Sequence, residues 1–358
     1  MADKKHDWLG RLYGSAKEAK ANAKADEKQR LEAGKGPTSR ILHQNDVLTG
    51  KWSPTRALQT TLGDGKFLRP INQQDLEAFK RNIKTVKDRG VYEKGITAKE
   101  IIDWSAKPFY GSVNNKSDLA LAREQIRHAV PVSSYAGGVR FITDAGPDSD
   151  VSRHHVYIVF ERFASITGNQ DTARKAALDV RKGPLLIECD CGKWRFWYRY
   201  IATIGGYNSG RDETGFPKIR NPTLTNVACK HIVKVAYEIQ NGTGVLNFLT
   251  KMVEKQRAQD LGKSMHKASQ TEVEKHLSNQ AKRKSNTIKT SAEKTAERKA
   301  KAAAKAAMQQ VGPPKKLKPN SRISGLDADA REAQLRKSMA QFGITPTQEQ
   351  IEAVRNAK

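Results

Sequence analysis

All three cysteines of this 358-residue chain fall in two short segments, Cys189-Asp190-Cys191 and Cys229-Lys230-His231. Three thiolates and one imidazole make the Cys₃His set that closes a tetrahedral structural zinc site. Cys189 and Cys191 lie two apart, and Gly192 lets the backbone tighten so that both sulfurs can face one ion. Cys229 and His231 open the stretch Ile232–Tyr237, which reads as helical, so these ligands are expected in its first turn. Zn²⁺ bound by Cys189, Cys191, Cys229 and His231 would tie the two segments together and contribute folding energy directly. Four protein ligands leave no open position, which argues against a catalytic metal. Two other readings stand beside this one: three buried, inert cysteines with an ordinary histidine, or a redox role. A zinc ion with three thiolates carries a net charge of about −1. Lys182, Lys193, Arg195 and Lys230 are close in sequence and could offset it.

The charge balance narrows the class of partner. Lys and Arg number 64 against 38 Asp and Glu, a formal net charge of +26. Such a chain suits a polyanion, most simply DNA or RNA, because each neutralised phosphate releases counterions. An anionic membrane surface is the competing partner. With 37% hydrophobic residues and a mean hydropathy of −0.70, the chain has too little apolar material to bury its full length. One domain with extensions is therefore expected. No run of about 18 apolar residues is present, so no membrane insertion is expected. Met1 is followed by Ala-Asp-Lys-Lys-His, not an apolar signal core, which points to synthesis in a cytoplasm. An odd cysteine count also suits a reducing compartment.

Four segments follow. Residues 1–37 read as a basic N-terminal helical arm, with Trp8, Leu9, Leu12 and Tyr13 on one face before Gly34, Gly36 and Pro37. Residues 38–255 read as a globular α+β domain containing a zinc module at 184–240. Leu76, Phe79, Ile83 and Val86 share a helical face that Gly90 ends, and Thr97 with Glu100 forms a capping box. Ser117 precedes another helix, and 171–181 reads as one more. Val156, Ile158 and Phe160 alternate as a strand. Leu185–Glu188 and Lys193–Thr203 read as two strands joined at the cysteine turn, so a small antiparallel sheet with flanking helices is expected. From Thr243 a helical stripe runs through Val245, Leu246, Leu249, Met252 and Val253. Residues 256–322, rich in Lys and Ala, read as a helical or disordered linker. Residues 323–358 read as a C-terminal helical segment that forms a hairpin or docks on a partner.

Period-two reading of Lys193–Tyr200 puts Trp194, Phe196, Tyr198 and Tyr200 on a core face and Lys193, Arg195, Trp197 and Arg199 on the other. The second set suits phosphate contact and base stacking. With Lys193, Arg195, Arg199, Lys218, Arg220 and Lys230 as candidates, a nucleic-acid surface is one reading; a solvated face that offsets the thiolates is the other.

The C-x-C then C-x-H pattern of Cys189, Cys191, Cys229 and His231 resembles the SWIM-type zinc finger. That resemblance implies a β-hairpin followed by a helix, and DNA or protein contacts. Residues 192–228 are longer than that family's usual spacer. A second resemblance covers Lys182–Leu186, Trp194–Thr203, Thr214–Pro222 and Val227–His231. This one is to virion-associated structural proteins of tailed bacteriophages, and it implies a structural component of a virus particle with other virion proteins as partners. Self-association as a homo-oligomer is a separate expectation.

Enzyme signatures are absent from the sequence. Gly63-Asp-Gly-Lys66 lacks the first glycine and the Ser/Thr of a P-loop, and no H-E-x-x-H, G-x-S-x-G or G-x-G-x-x-G occurs. His154 and His155 are neighbours on a strand and point to opposite faces, and Asp144, Asp148 and Asp150 lack EF-hand spacing. The expectation is a non-enzymatic, zinc-stabilised virion protein that touches nucleic acid. A protein–protein assembly module, or an accessory subunit of a DNA-processing complex, are the alternatives.

Overall fold

The computed structural model describes residues 40–52, 56–63, 67–89, 94–108, 116–147, 149, 151–258, 265–283, 287–311 and 327–356, with isolated positions between 21 and 28. The Trp8/Leu12 face and most of the rest of the N-terminal arm, the Gly90 stop, Asp148, Asp150 and the Pro-rich run after Val311 lie outside the described residues. The chain divides into two units, Met1–Lys294 and Thr295–Lys358.

The first unit is α+β, as expected. Its framework is a six-stranded antiparallel sheet in the order β3-β7-β6-β5-β4-β8. The strands are β3 (Ile96–Thr97), β4 (Ala129–Tyr135), β5 (Gly138–Asp144), β6 (Arg153–Phe160), β7 (Pro184–Cys189) and β8 (Met265–Lys267). A separate two-stranded ribbon pairs β1 (Gln59–Thr60) with β2 (Arg69–Pro70). The β4–β5 hairpin turns through Ala136 and Gly137, both with positive φ, as a right-twisted tight turn requires. Pro131 has no N–H for the ladder, and the β4–β5 register shifts between Pro131 and Ser133.

Val139, Phe141, Val156, Ile158, Phe160, Leu185 and Ile187 belong to the main core on one face of the sheet. Helices cover that core: α1 (Gln44–Thr49), α2 (Gln73–Arg89), α3 (Ala98–Trp104), α4 (Asp118–Gln125), α5 (Phe163–Thr167), α6 (Ala173–Val180), α7 (Arg199–Ile204), α8 (Lys230–Asn241) and α9 (Thr243–Ala258). The sequence patterns placed several of these well. Leu76, Phe79, Ile83 and Val86 are all buried on α2. Thr97 and Glu100 form the predicted capping box of α3, and the Ser117 hydroxyl caps α4 by accepting from the Ala120 N–H. Helix α8 is the central element: it packs against α3, α4 and strands β4 to β7. Its buried side chains include Ile232, Val233, Val235, Ala236 and Ile239.

Two expectations fail. Residues 193–203 are not a strand. After Cys191 the chain turns at once into a helix whose Trp194–Tyr198 stretch is π-helical, with the Arg199 N–H reaching the Trp194 carbonyl five residues back, and it continues as α7. Trp194, Tyr198 and Ile201 are buried and Trp197 packs on the core, a 3.6-residue stripe, whereas Phe196 is 45% exposed. The aromatic-rich composition favoured a strand by propensity, but packing chose the helix. The hairpin implied by the zinc-finger resemblance is therefore replaced by strand, knuckle and helix.

The other correction concerns the linker. A linker starting at 256 does not describe residues 265–294, which belong to the first unit. Strand β8 pairs with β4, and α10 (Gln270–Ala281) lays Val273 against Val130, Val132 and Ile142 on the second face of the sheet. Ile288 is fully buried in the main core. Gln280 closes two bonds with the Ala129 backbone, and Arg283 reaches the buried Glu238 at 2.6 Å. Sparse apolar residues hid this docking from a search for stripes.

In the second unit, α12 (Ala328–Ala340) and α13 (Gln348–Arg355) pair, joined by ion pairs of Arg355 with Asp329 and Glu332. The helix preceding them, α11 (Ser291–Val311), starts in the first unit. Among the described residues no helix is long and apolar enough to cross a membrane.

Candidate metal centre

Cys189 is the last residue of β7, Cys191 follows one turn residue later, Cys229 is the N-cap of α8 and His231 lies in that helix's first turn. The sequence thus foresaw the second pair's placement. All four side chains are buried, and their ligand atoms lie within 4.8 Å of one another. His231 Nδ1 lies 3.9 Å from both the Cys189 and Cys229 sulfurs. For a tetrahedral ion with metal–sulfur bonds of about 2.3 Å and metal–nitrogen bonds of about 2.0 Å, donors should lie roughly 3.5–3.8 Å apart. The cluster fits a four-coordinate metal ion with little adjustment.

Electrostatics favours a cation there. Burial pushes the Cys189 and Cys191 thiols well above the usual range. Burial opposes ionisation of Cys229 too, yet hydrogen bonds from Cys189, Cys191 and His231 hold it well below that range. The positive end of α8 adds to this. Burial also depresses His231, which keeps the imidazole neutral, the form that ligates. The Trp194 backbone N–H donates to the Cys191 sulfur at 3.3 Å, tying the knuckle to the π-helical turn.

Two residues that the sequence reading did not join to the site complete it. Asp190, between the two cysteines, accepts from the His155 backbone N–H at 3.1 Å, and its other oxygen lies 2.8 Å from His154 Nδ1. The His154 ring packs 4.3 Å from the His231 ring, and its Nε2 lies 3.3 Å from the Ser149 hydroxyl. His154 therefore wedges the ligand ring in place while Asp190 locks the knuckle to β6. No local motif could have signalled this, because the contact is made only when β6 and β7 pair.

The six basic candidates separate into two groups. Lys193 pairs with the fully buried Asp118 at 2.9 Å and lies over the Trp197 ring. Tyr198 donates to the same carboxylate. Lys230 bonds Gln125 at 2.5 Å, and burial lowers its hold on a proton against the opposing pull of the nearby Cys191 and Cys229 sulfurs. Arg199 is clamped on Glu188. These three are internal counter-charges, not an exposed face. Lys182 lies apart, paired with Asp179 on the surface. Arg195 contacts the Asp190 carbonyl at 3.1 Å and, with Lys218, Arg220 and Arg40, lines a cleft of about 390 Å³. Asp144, from the acidic loop, accepts from His128 and the Arg127 backbone.

The site therefore has the donor set, burial and spacing to hold one metal ion, with every ligand supplied by this chain. Comparison of the chain with protein-family models, with curated proteins and with solved structures finds no match.

Proposed function

We propose that this protein is a non-enzymatic structural component, stapled by one zinc ion, whose basic surfaces contact nucleic acid in a tailed-phage virion. The observation that carries the proposal is the buried Cys₃His cluster. Three thiolates and an imidazole in closed tetrahedral spacing select Zn²⁺ among common divalent ions, and four protein donors leave no place for a substrate. The formal charge of +26 supports a polyanionic partner. The likeness of the Lys182–His231 segments to virion-associated phage proteins supports the location.

Zinc is expected at one equivalent per chain by elemental analysis of purified protein. Affinity for DNA or RNA is expected to fall steeply between low and physiological salt, with a log–log slope near −0.9 per neutralised phosphate on duplex DNA. A flat salt response removes the nucleic-acid part, and a zinc-free folded protein removes the staple.

A second reading, an assembly module that binds other virion proteins, is favoured by one observation. Phe342 and Ile344, in the turn between α12 and α13, are 79% and 54% exposed. A chain ending at Lys294 separates the readings: the assembly reading requires that particle association be lost while nucleic-acid binding is unchanged.

A further inference from the structure

The cleft beside the knuckle has three walls. One is the segment at Arg40–Leu42, one the helical turn that carries Arg195, Phe196 and Tyr200, and one the loop 213–220. Backbone bonds from Phe216 to Leu42 and from Gln44 to Thr214 hold the first and third walls together, and the Thr60 and Thr61 hydroxyls pin the loop at Lys218 and Ile219. The cleft is thus part of the folded body. Its volume of about 390 Å³ falls in the range of ligand sites.

Its lining is chemically unusual for a plain groove. Among the described residues four cations, Arg40, Arg195, Lys218 and Arg220, line it with a single carboxylate, Glu213. Lys218 sits among like charges: burial first, then Arg56 and Arg40, lower its affinity for a proton. Phe196 is the one aromatic of its helical turn that is left 45% exposed, where packing had every other large ring turned inward or against the core. Tyr200, 2% exposed, forms part of the lining with a hydroxyl that has no hydrogen-bond partner among the described residues. Crowded cations call for an anion, an exposed ring beside them calls for a flat apolar face, and an unsatisfied hydroxyl calls for a polar edge. A nucleotide unit offers all three.

Resting on the nucleic-acid reading above, we infer that this cleft takes one nucleotide of a single strand, with the base on Phe196 and the phosphate among Arg40, Lys218 and Arg220. A duplex keeps its bases stacked and cannot use Phe196 in this way, so the inference separates from general electrostatic binding by the basic extensions.

The test is fluorescence anisotropy of full-length, metal-loaded protein at physiological salt, with a labelled single-stranded oligo(dT) and a labelled duplex of equal length. Phe196→Ala, Tyr200→Phe and Arg220→Gln are compared with the parent, each checked for unchanged zinc content and melting temperature. Phe196→Ala should weaken single-strand binding by about 5- to 100-fold and leave duplex binding unchanged. Tyr200→Phe, which keeps shape and removes only the hydroxyl, should weaken single-strand binding by about 2- to 10-fold. Equal losses on both probes, or none, would overturn the cleft assignment while leaving general nucleic-acid binding in place. Parent protein that binds neither probe would overturn both. Displacement by AMP with no tighter hold on the oligonucleotide would reassign the cleft to a free nucleotide and overturn the strand.

Discussion

Truncating the chain at residue 264 should unfold the first unit, whereas ending it at Lys294 should not. The shorter cut removes β8, α10 and the segment holding Ile288 and Arg283. Val273 and Ile288 are 5% and 0% exposed, and burying each is worth about 1.5–3 kcal/mol. Glu238, 1% exposed, would lose Arg283 and, among the described residues, keep the buried Lys234 at 3.2 Å, and breaking a buried ion network costs about 3–5 kcal/mol. The two bonds between Gln280 and the Ala129 backbone contribute about 1 kcal/mol each. The loss approaches the whole stability of a domain, about 5–15 kcal/mol. Circular-dichroism melts of the two truncations and the full chain are the assay. The chain ending at Lys294 should melt within a few degrees of full length, and the chain ending at 264 should melt more than about 15 °C lower or not fold, since about 1 kcal/mol moves the midpoint 2–4 °C at this size. A cooperative transition at the parental temperature for the shorter chain would refute the docking of residues 265–294.

Metal removal by a strong chelator should expose the fully buried Trp194, whose backbone N–H bonds the Cys191 sulfur, and shift tryptophan emission to the red; unchanged emission in protein shown to be metal-free would count against the staple. Asp190→Ala should weaken metal binding about 10- to 100-fold in competition with a colorimetric chelator, because it frees the knuckle from His154 and β6. Thr97→Ala, which removes the capping hydroxyl of α3, should cost about 0.5–2 kcal/mol in denaturant unfolding. Glu272, bonded to Lys251, is held at about 2 in the folded protein, below its usual 4.5. A depressed carboxylate stabilises above its unfolded value, so this contribution is full above pH 4.5 and disappears as pH falls toward 2. Glu272→Gln should therefore narrow its stability gap from the parent across that acid window; a gap independent of pH would contradict the ion pair.

Much was legible before any coordinates, and for local reasons. The four ligands declared themselves because no cysteine occurs elsewhere and because a C-x-H at a helix start is a spacing read within one turn. The α2 stripe and the Thr97 and Ser117 caps are likewise properties of a few consecutive residues. What failed was the choice of period at Trp194–Tyr200, where aromatic composition fits both a strand and a helix and only the burial of Ile201 and the outward turn of Phe196 decide. The β4–β5 hairpin and its place in a six-stranded sheet were not foreseen either, because pairing is a relation between distant segments.

The same division runs through the site. Ligand identity, donor chemistry and the cationic character of the chain were set by residue type and short spacing, which no fold can alter. Four things awaited the tertiary structure: His154 against His231, Asp190 locked to β6, Lys193 and Arg199 spent on the carboxylates of Asp118 and Glu188, and Arg195 turned with Lys218 and Arg220 into one cleft. Each depends on which strand lies beside which and which side chain is left facing water, and short-range spacing does not carry that information.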